Sequence, residues 1–524
     1  MALDDTQVFL PELWASHARF RAEKTALVCG ADRLSWGELN RRCNRVANAL
    51  LAADAGRSAK AAVLMNNSVD TVVVMLGIVK AGAGMVPIST MLTPAQVATM
   101  LADSGASVLF ASDATRALAE AALGQLDGGL DDSGEDKGER LLVCAGEADD
   151  RWQSLTDWLQ GMGEDEPPVR YDLGDDFNII YSSGTTGTPK GIVQTHRARQ
   201  HWSYSNALEL RMDHECKALT TTSLYSNGTW FMLLPPLFVG GTVVIMESFS
   251  PEAFLDLVAR ERITHTFMVP TQYIGVLESP ALESADLASL RYMLSAGSPL
   301  RQDTKDAILE RLGAGLFELY GFTEGFATIC RPEQQHKRGS VGTPVIGFDL
   351  RIVDDNGREL PANEAGEIVG YGGGLMKHYH RREAETEAAI WRDERGRTFL
   401  RSGDIGKLDE DGFLYILDRK KDMIISGGFN VFPKDIEEVL GAHPEVSDVT
   451  VIGVPDPKWG ETPLALVIPV AGKQLDTAAL LAWGNERLAK QQRVKAVELR
   501  DEFPRNALGK VIKRELREPY WDKP

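Results

Sequence analysis

Residues 181–191 read Tyr-Ser-Ser-Gly-Thr-Thr-Gly-Thr-Pro-Lys-Gly. Ser182, Ser183, Thr185, Thr186, Thr188 and Lys190 supply hydroxyl and ammonium donors. Gly184, Gly187 and Gly191 free the backbone to turn tightly and present its N–H groups. Such a density of donors suits the oxygens of a triphosphate. The spacing is not the Gly-x4-Gly-Lys-Ser/Thr of a Walker loop, because Pro189 precedes the lysine and Gly191 follows it. A plain Gly/Ser/Thr linker would lack both the entering apolar run Phe177-Asn178-Ile179-Ile180-Tyr181 and the closing Pro-Lys-Gly. The apolar run reads as a buried strand and the stretch after Gly191 as a helix, which sets the loop at a strand end, where ligands collect.

This run resembles the signature of the adenylate-forming superfamily, which includes acyl-CoA synthetases, luciferases and peptide-synthetase adenylation domains. Further motifs similar to that family's follow in order along nearly the whole chain. The resemblance implies a chemistry in which a carboxylate attacks the α-phosphorus of ATP, pyrophosphate leaves, and the mixed anhydride acylates the thiol of CoA. Charge crowds at one phosphorus, so such a site needs positioning, a Mg²⁺ ion and well-placed cations.

The resemblance assigns roles motif by motif. Glu318-Leu319-Tyr320-Gly321-Phe322-Thr323-Glu324 resembles the Tyr-Gly-x-Thr-Glu element, which implies Tyr320 stacked on adenine, Thr323 on the α-phosphate and Glu324 with Thr185 at Mg²⁺. Taken alone, this pentapeptide is a helix-start signal with Thr323 as N-cap. Gly297 and Ser298, in Leu-Ser-Ala-Gly-Ser-Pro-Leu (294–300), match the segment beside adenine. Asp404, in Arg-Ser-Gly-Asp, matches the carboxylate that accepts from both ribose hydroxyls, and Arg419 a second ribose contact. Lys421 matches a hinge, and Lys510, in Pro-Arg-Asn-Ala-Leu-Gly-Lys, the catalytic lysine that bridges substrate carboxylate and α-phosphate. Gly427, Gly428, Phe429, Trp459 and Arg493 fall where CoA ligases contact CoA. Tyr225, Ser226, Asn227 and Trp230 fall in the acyl pocket, with Trp202 and Phe231 as further aromatic candidates for an aryl, cyclic or medium-chain acyl group.

The match departs from the family in three places. Ser226 stands where many relatives have a histidine, Lys490-Gln491-Gln492-Arg493-Val494 replaces an aromatic-Lys-x-Pro run, and residues 390–400 are longer and more charged than usual.

Those motifs need elements to hold them. Over residues 36–112 amphipathic helices alternate with apolar strands: helices at 38–51, 72–81 and 94–103, strands at 61–65 and 85–88. This rhythm implies right-handed crossovers and an α/β body of mainly parallel sheets sandwiched by helices. Residues 126–140 are acidic and Gly-rich and read as a surface excursion. After the charged run Asp-Arg-Lys-Lys-Asp (418–422), strands at 446–454 and 464–470 and helices at 433–440 and 475–488 form a compact α+β pattern. The expected division is a body over 1–418, a hinge at 419–421 and a small mobile lid over 422–524.

Bulk properties narrow the partners. The net charge of −19, from 56 basic and 75 acidic side chains, argues against nucleic acid or an anionic membrane as the main ligand. The five cysteines are scattered without a CxxC pair, so neither a disulfide framework nor a zinc site is expected. Residues 218–246 carry no charge, but their threonines, Asn227 and Pro235-Pro236 favour a buried core over a membrane span. With no basic-then-apolar leader, the protein is read as cytoplasmic. The leading expectation is an acid–thiol ligase that makes acyl-CoA. Rival readings are an enzyme loading a carrier protein or another acceptor, a luciferase-like oxygenase, and a non-catalytic nucleotide sensor on the same fold. An α-amino acid substrate is disfavoured, because residues 217–230 contain no acidic residue to hold an ammonium.

Overall fold

The computed structural model describes residues 7–127, 140–182, 189–426, 429–505 and 511–521. The expected alternation is present: helices Trp36–Ala52, Val69–Lys80 and Pro94–Ser104 alternate with strands Lys60–Leu64, Gly84–Pro87 and Val108–Ser112. Local chemistry starts these helices. Ser35 accepts from the Glu38 N–H while the Glu38 carboxylate accepts from the Ser35 N–H, and Thr93 and Gln96 repeat the exchange. Val69–Lys80 is largely apolar and buried, and its Lys80 ammonium pairs with Glu166 at 2.8 Å and donates to Asn40 Oδ1 at 2.6 Å.

By its internal contacts the chain forms two compact units. The first runs up to His336 and takes in Pro344–Asp349 and Tyr371–Ile390; the second comprises Lys337–Thr343, Leu350–Gly370 and the chain from Trp391 onward. The second unit therefore begins earlier than the expected lid. It gathers the strands on both sides of residue 418, because Leu414–Arg419 pairs antiparallel with Thr398–Leu408, itself paired with Gly366–Gly372.

Two sheets organise the first unit. One runs in the order Gln153–Ser154, Leu141–Ala145, Val108–Ser112, Lys60–Leu64, Gly84–Pro87, Asp176–Ser182, Lys190–Thr195 and His378–Tyr379. Its strands are parallel up to Asp176–Ser182, and the last two pairings are antiparallel. The other carries the parallel strands Thr25–Cys29, Thr242–Ile245, Lys217–Thr220, His265–Met268, Tyr292–Ser295 and Gly315–Gly321, with antiparallel Asp32–Ser35 and Ala327–Cys330 at its flanks.

Two local expectations are corrected. The stretch after Gly191 is not helical: Lys190–Thr195 is a strand whose Lys190 pairs with Ser182, and the helix begins only at His196. The donor-rich run thus lies between two antiparallel strands rather than between a strand and a helix. Nor does Thr323 cap a helix, since Gly315–Gly321 turns back into the antiparallel strand Ala327–Cys330.

The second unit's distal part is the expected α+β pattern. Val446–Asp456 and Gly460–Pro469 form a long antiparallel pair, extended by Ile424–Ser426, Phe429–Val431 and Ala496–Leu499 and packed with helices Pro433–Gly441, Thr477–Arg487 and Lys513–Trp521. Residues 128–139 of the acidic excursion lie outside the described residues. All five cysteines are free and buried, and burial lifts the Cys43 and Cys216 thiols to about 12. The uncharged 218–246 stretch divides into strands and short helices, and among the described residues no helix is long and apolar enough to cross a membrane.

Burial also writes a pH dependence into this fold. His196, packed edge-on against Phe9 and Phe177, and His265, in a central strand, are both held down to about 4 by desolvation. The unfolded chain binds these protons near 6.5, so their contribution is present above that pH and is lost as pH falls toward 4. Each should cost at most about 2 kcal/mol between pH 7 and pH 5. Denaturant titrations at the two pH values measure it. In His196→Phe the proton uptake on unfolding at pH 5 should fall by about one, since the His196 Nδ1 has no hydrogen-bond partner to lose.

Candidate active site

The hairpin Asp176–Ser182/Lys190–Thr195 is fixed from its open edge by residues 376–380. The Lys377 N–H donates to Val193 O at 2.8 Å and the His380 N–H to Gly191 O at 2.7 Å. Lys377 Nζ donates to Asp176 Oδ1 at 2.8 Å, while the Tyr181 hydroxyl and Arg382 both donate to the Asp103 carboxylate. Gly191 is needed for close approach rather than for turning: a Cβ there would lie 2.9 Å from Ile179 Cγ2 and 3.1 Å from His380 Cβ and Tyr181 Cζ. The stem thus presents Ser182 and Lys190 opposite each other. Ser183, Gly184, Thr185, Thr186, Gly187 and Thr188 lie outside the described residues.

The same edge carries the Tyr-Gly-Phe-Thr-Glu turn. Gln194 Nε2, buried in the hairpin, donates to Thr323 O at 2.6 Å, and the Met376 N–H donates to Glu324 O at 2.7 Å. The Tyr379 hydroxyl donates to Glu324 Oε1 at 3.0 Å, and Lys190 Nζ sits 5.1 Å from the centroid of the same ring. Burial and then the Glu324 charge push the Tyr379 phenol well above its ordinary range, so it stays a donor. Two motifs far apart in sequence are thereby joined. Within the strand that leads to the turn, Glu318 accepts from buried Lys305 at 2.9 Å and Leu319 packs into the core, while Tyr320 projects to the other side of the strand. Gly297 has φ +92°, a conformation that favours glycine, and ends the Tyr292–Ser295 strand in a turn with Ser298.

The segment assigned to the acyl pocket is pinned at three points by Asn67. Its Nδ2 donates to Thr222 O at 3.2 Å and Met246 O at 2.8 Å, and its Oδ1 accepts from the Leu224 N–H at 2.9 Å. Thr229 closes the loop onto Thr222 Oγ1 and Ser223 O. Tyr225, Ser226 and Asn227 are half-buried, with Tyr225 reaching toward exposed Met91 and the Asn227 Oδ1 enclosed without a hydrogen-bond partner. Trp230, by contrast, belongs to the core: its Nε1 donates to Leu224 O, and the Arg199 guanidinium lies 4.6 Å from its ring. Trp202 and Phe231 stack on each other at 4.2 Å in the same cluster. These three aromatics support the pocket segment from behind rather than projecting from it. Burial lowers Arg199 to about 9, and the Trp202 and Trp230 rings lie beside its guanidinium.

In the second unit, Asp404 and Arg419 face each other across an antiparallel pair, with Arg419 Nε 3.4 Å from Asp404 Oδ1. The two residues assigned to one ribose are therefore adjacent. Ser402 Oγ accepts from the Asp404 N–H and donates to Ile368 O, which sets the bend at Gly403. Lys421 is exposed, with its ammonium pKa lowered by desolvation, and its carbonyl accepts from Arg517 at 3.0 Å. Lys510, Gly427 and Gly428 lie outside the described residues; Arg505 pairs with Val511, and the Ile512 N–H donates to Pro504 O at 2.8 Å. Phe429 enters the strand Phe429–Val431, Trp459 is exposed with Lys458 over its ring at 4.6 Å, and Arg493 is exposed.

Sequence reasoning passed over Gln194, Tyr379 and Asn67. Each acts through a partner 55 or more residues away, a distance that no local spacing records.

Comparison with known proteins agrees with this fold. The AMP-binding enzyme family model matches residues 14–380 and the AMP-binding enzyme C-terminal domain matches residues 435–510. The chain is 36% identical to a feruloyl-CoA synthase of Amycolatopsis sp over 510 residues, covering 96% of this chain and 97% of that one. It is 34% identical to an indoleacetate–CoA ligase of Aromatoleum aromaticum over 509 residues, covering 96% of each. Among solved structures, ATP-bound MatB from Rhodopseudomonas palustris superposes with TM-score 0.87 at 31% identity, over 98% of this chain and 99% of that one. On these matches the chain belongs to the AMP-binding enzyme family, in its acyl-CoA synthetase branch.

Proposed function

We propose that this AMP-forming acyl-CoA ligase activates an aromatic carboxylic acid with ATP and Mg²⁺ and passes the acyl group to CoA. The observation that carries the nucleotide half is the joining of the Ser182–Lys190 stem to Thr323 and Glu324, by Gln194 at 2.6 Å and Tyr379 at 3.0 Å. A cationic, donor-rich turn and a half-buried carboxylate share one edge of the sheet, an arrangement suited to a metal-bound polyphosphate. Glu324 fits a hard divalent cation. Among the described residues no three His, Cys, Asp or Glu side chains gather, so Mg²⁺ would take this carboxylate together with phosphate oxygens and water. When bound, the ion neutralises phosphate charge as pyrophosphate departs.

The other roles belong to the chain's own residues. Asp404, set by Ser402 and Arg419, accepts the ribose hydroxyls. Lys510 bridges the substrate carboxylate and the α-phosphate during adenylation. A swivel about Lys421 then brings the 427–428 turn to the thiol, so that one lid serves two half-reactions. In support of a thiol arm, Ser426 pairs with Gly460, which brings the exposed Ile425 and Trp459 to neighbouring strands. An aromatic acid is favoured by the acids that name the feruloyl and indoleacetate relatives. A carrier-protein acceptor is the second reading, since a fatty acid–[acyl-carrier-protein] ligase of Streptomyces coeruleorubidus is 30% identical over 96% of this chain.

Pyrophosphate release over a panel of cinnamic, indoleacetic, medium-chain and dicarboxylic acids, with and without CoA, tests the assignment. Release and aryl-CoA formation should be fastest with the aromatic members; a preference for aliphatic acids would overturn the substrate class, and thioester formation on a carrier protein alone would overturn the acceptor. Lys510→Ala should slow adenylation by roughly 100-fold or more while thioester formation from preformed acyl-adenylate stays within a few-fold. Equal loss of both half-reactions would refute the division of labour. Asn67→Ala strips three hydrogen bonds from the pocket segment, so it should destabilise the fold by about 1–3 kcal/mol and raise the KM for the acid more than that for ATP. Steady-state kinetics alongside urea unfolding measure both.

A further inference from the structure

Tyr379 touches both charged groups of the proposed nucleotide site with different parts of one side chain. Its hydroxyl donates to Glu324 Oε1 at 3.0 Å, and its ring lies 5.1 Å from Lys190 Nζ. Its backbone leaves it little freedom. Tyr379 pairs with Ile192 in the edge strand, its N–H donates to Thr386 Oγ1 at 3.0 Å, and its carbonyl accepts from the Arg382 N–H at 3.2 Å. Nearby residues of the same strap carry its other bonds, from Lys377 to Val193 and from Met376 to the Glu324 carbonyl.

We propose that Tyr379 is a positioning residue for the metal–nucleotide complex. Its hydroxyl holds the Glu324 carboxylate in the orientation that takes the cation, and its ring face holds the Lys190 ammonium beside that carboxylate's donor. This rests on the reading of Glu324 as the Mg²⁺ carboxylate and Lys190 as a phosphate contact. A phenol suits the task because a neutral donor leaves the carboxylate its full charge, whereas a lysine or arginine in the same place would cancel it. The ring face in turn attracts the ammonium without neutralising it, so both charges remain available to the nucleotide. Neither group needs to move when ligand arrives, which keeps the cost of ordering them out of the binding step.

Equilibrium binding of ATP by calorimetry, across a Mg²⁺ series and in EDTA, separates the two contacts without reference to turnover. Tyr379→Phe removes the hydroxyl and keeps the ring, so the Mg²⁺ concentration for half-maximal strengthening of ATP binding should rise roughly tenfold, while affinity in EDTA stays within twofold. Lys190→Met should do the reverse, weakening ATP binding in EDTA with the Mg²⁺ midpoint unchanged. In Glu324→Gln the Mg²⁺ response should be largely lost, and adding Tyr379→Phe should change it no further. A Tyr379→Phe protein that melts lower but keeps the parental Mg²⁺ midpoint, or effects that add in the double variant, would overturn the positioning role. An unchanged Mg²⁺ response in Glu324→Gln would instead overturn the reading of Glu324 on which the role rests.

Discussion

Backbone pairing along one open sheet edge is the constraint on which the site depends. Lys190–Thr195 would otherwise be an exposed edge strand with unpaired N–H and C=O groups. Residues 377–380 satisfy it through Val193 and Gly191, and the same short segment bonds the Glu324 carbonyl through Met376 and the Glu324 carboxylate through Tyr379. Covering the edge and assembling the site are one structural act. Gln194 adds the buried cross-link to Thr323, so the hairpin stem and the Thr-Glu turn are held as one body.

A chain of net charge −19 that handles a polyphosphate must keep its cations where they act. Several buried charges are accordingly neutralised in pairs. Lys80 meets Glu166 and Asn40, Lys305 meets Glu318, and Arg331 meets Glu209 through two hydrogen bonds. Of these, Lys305–Glu318 ties the Gln302–Leu312 helix to the Gly315–Gly321 strand. Arg199 differs in having indole faces beside it and a neutral partner, Asn178 Oδ1, and burial lowers its pKa. Lys190 is handled in the same way, with a phenol ring beside its ammonium, which leaves its charge to a ligand.

In the second unit the same economy governs the segment around the proposed hinge. Arg517, on the last helix, donates to the Lys421 carbonyl and binds Asp422, while Lys513 at the start of that helix pairs with Glu437 at 2.7 Å. Asp418 accepts from the Lys434 N–H at the start of the Pro433–Gly441 helix, and burial raises its pKa. The segment around the proposed hinge is thus tied into the second unit by hydrogen bonds and ion pairs on both sides.

Much of the fold is legible in the sequence because its signals are local. The valine-rich 69–80 helix, the capping exchanges at Ser35 and Thr93, and the long strand pair 446–456 and 460–469 arise from residue periodicity and side-chain chemistry within a few positions. The motifs are legible for a related reason, since a turn that grips phosphate must carry its donors and glycines in sequence. The segment after Gly191 departs from its expected helix because six residues, Lys-Gly-Ile-Val-Gln-Thr, fit a strand or a helix start equally; pairing with Asp176–Ser182 decided it. Whether Trp230 faces a pocket or the core is likewise a matter of what lies opposite, and Arg199 and Leu224 settled it. By itself the sequence determined the chemical groups and their order, because those are written residue by residue. Only the tertiary structure decided that Gln194 would meet Thr323 across 129 positions and Tyr379 would meet Glu324 across 55, since contacts at such separations arise from sheet pairing and leave no periodic trace in the chain.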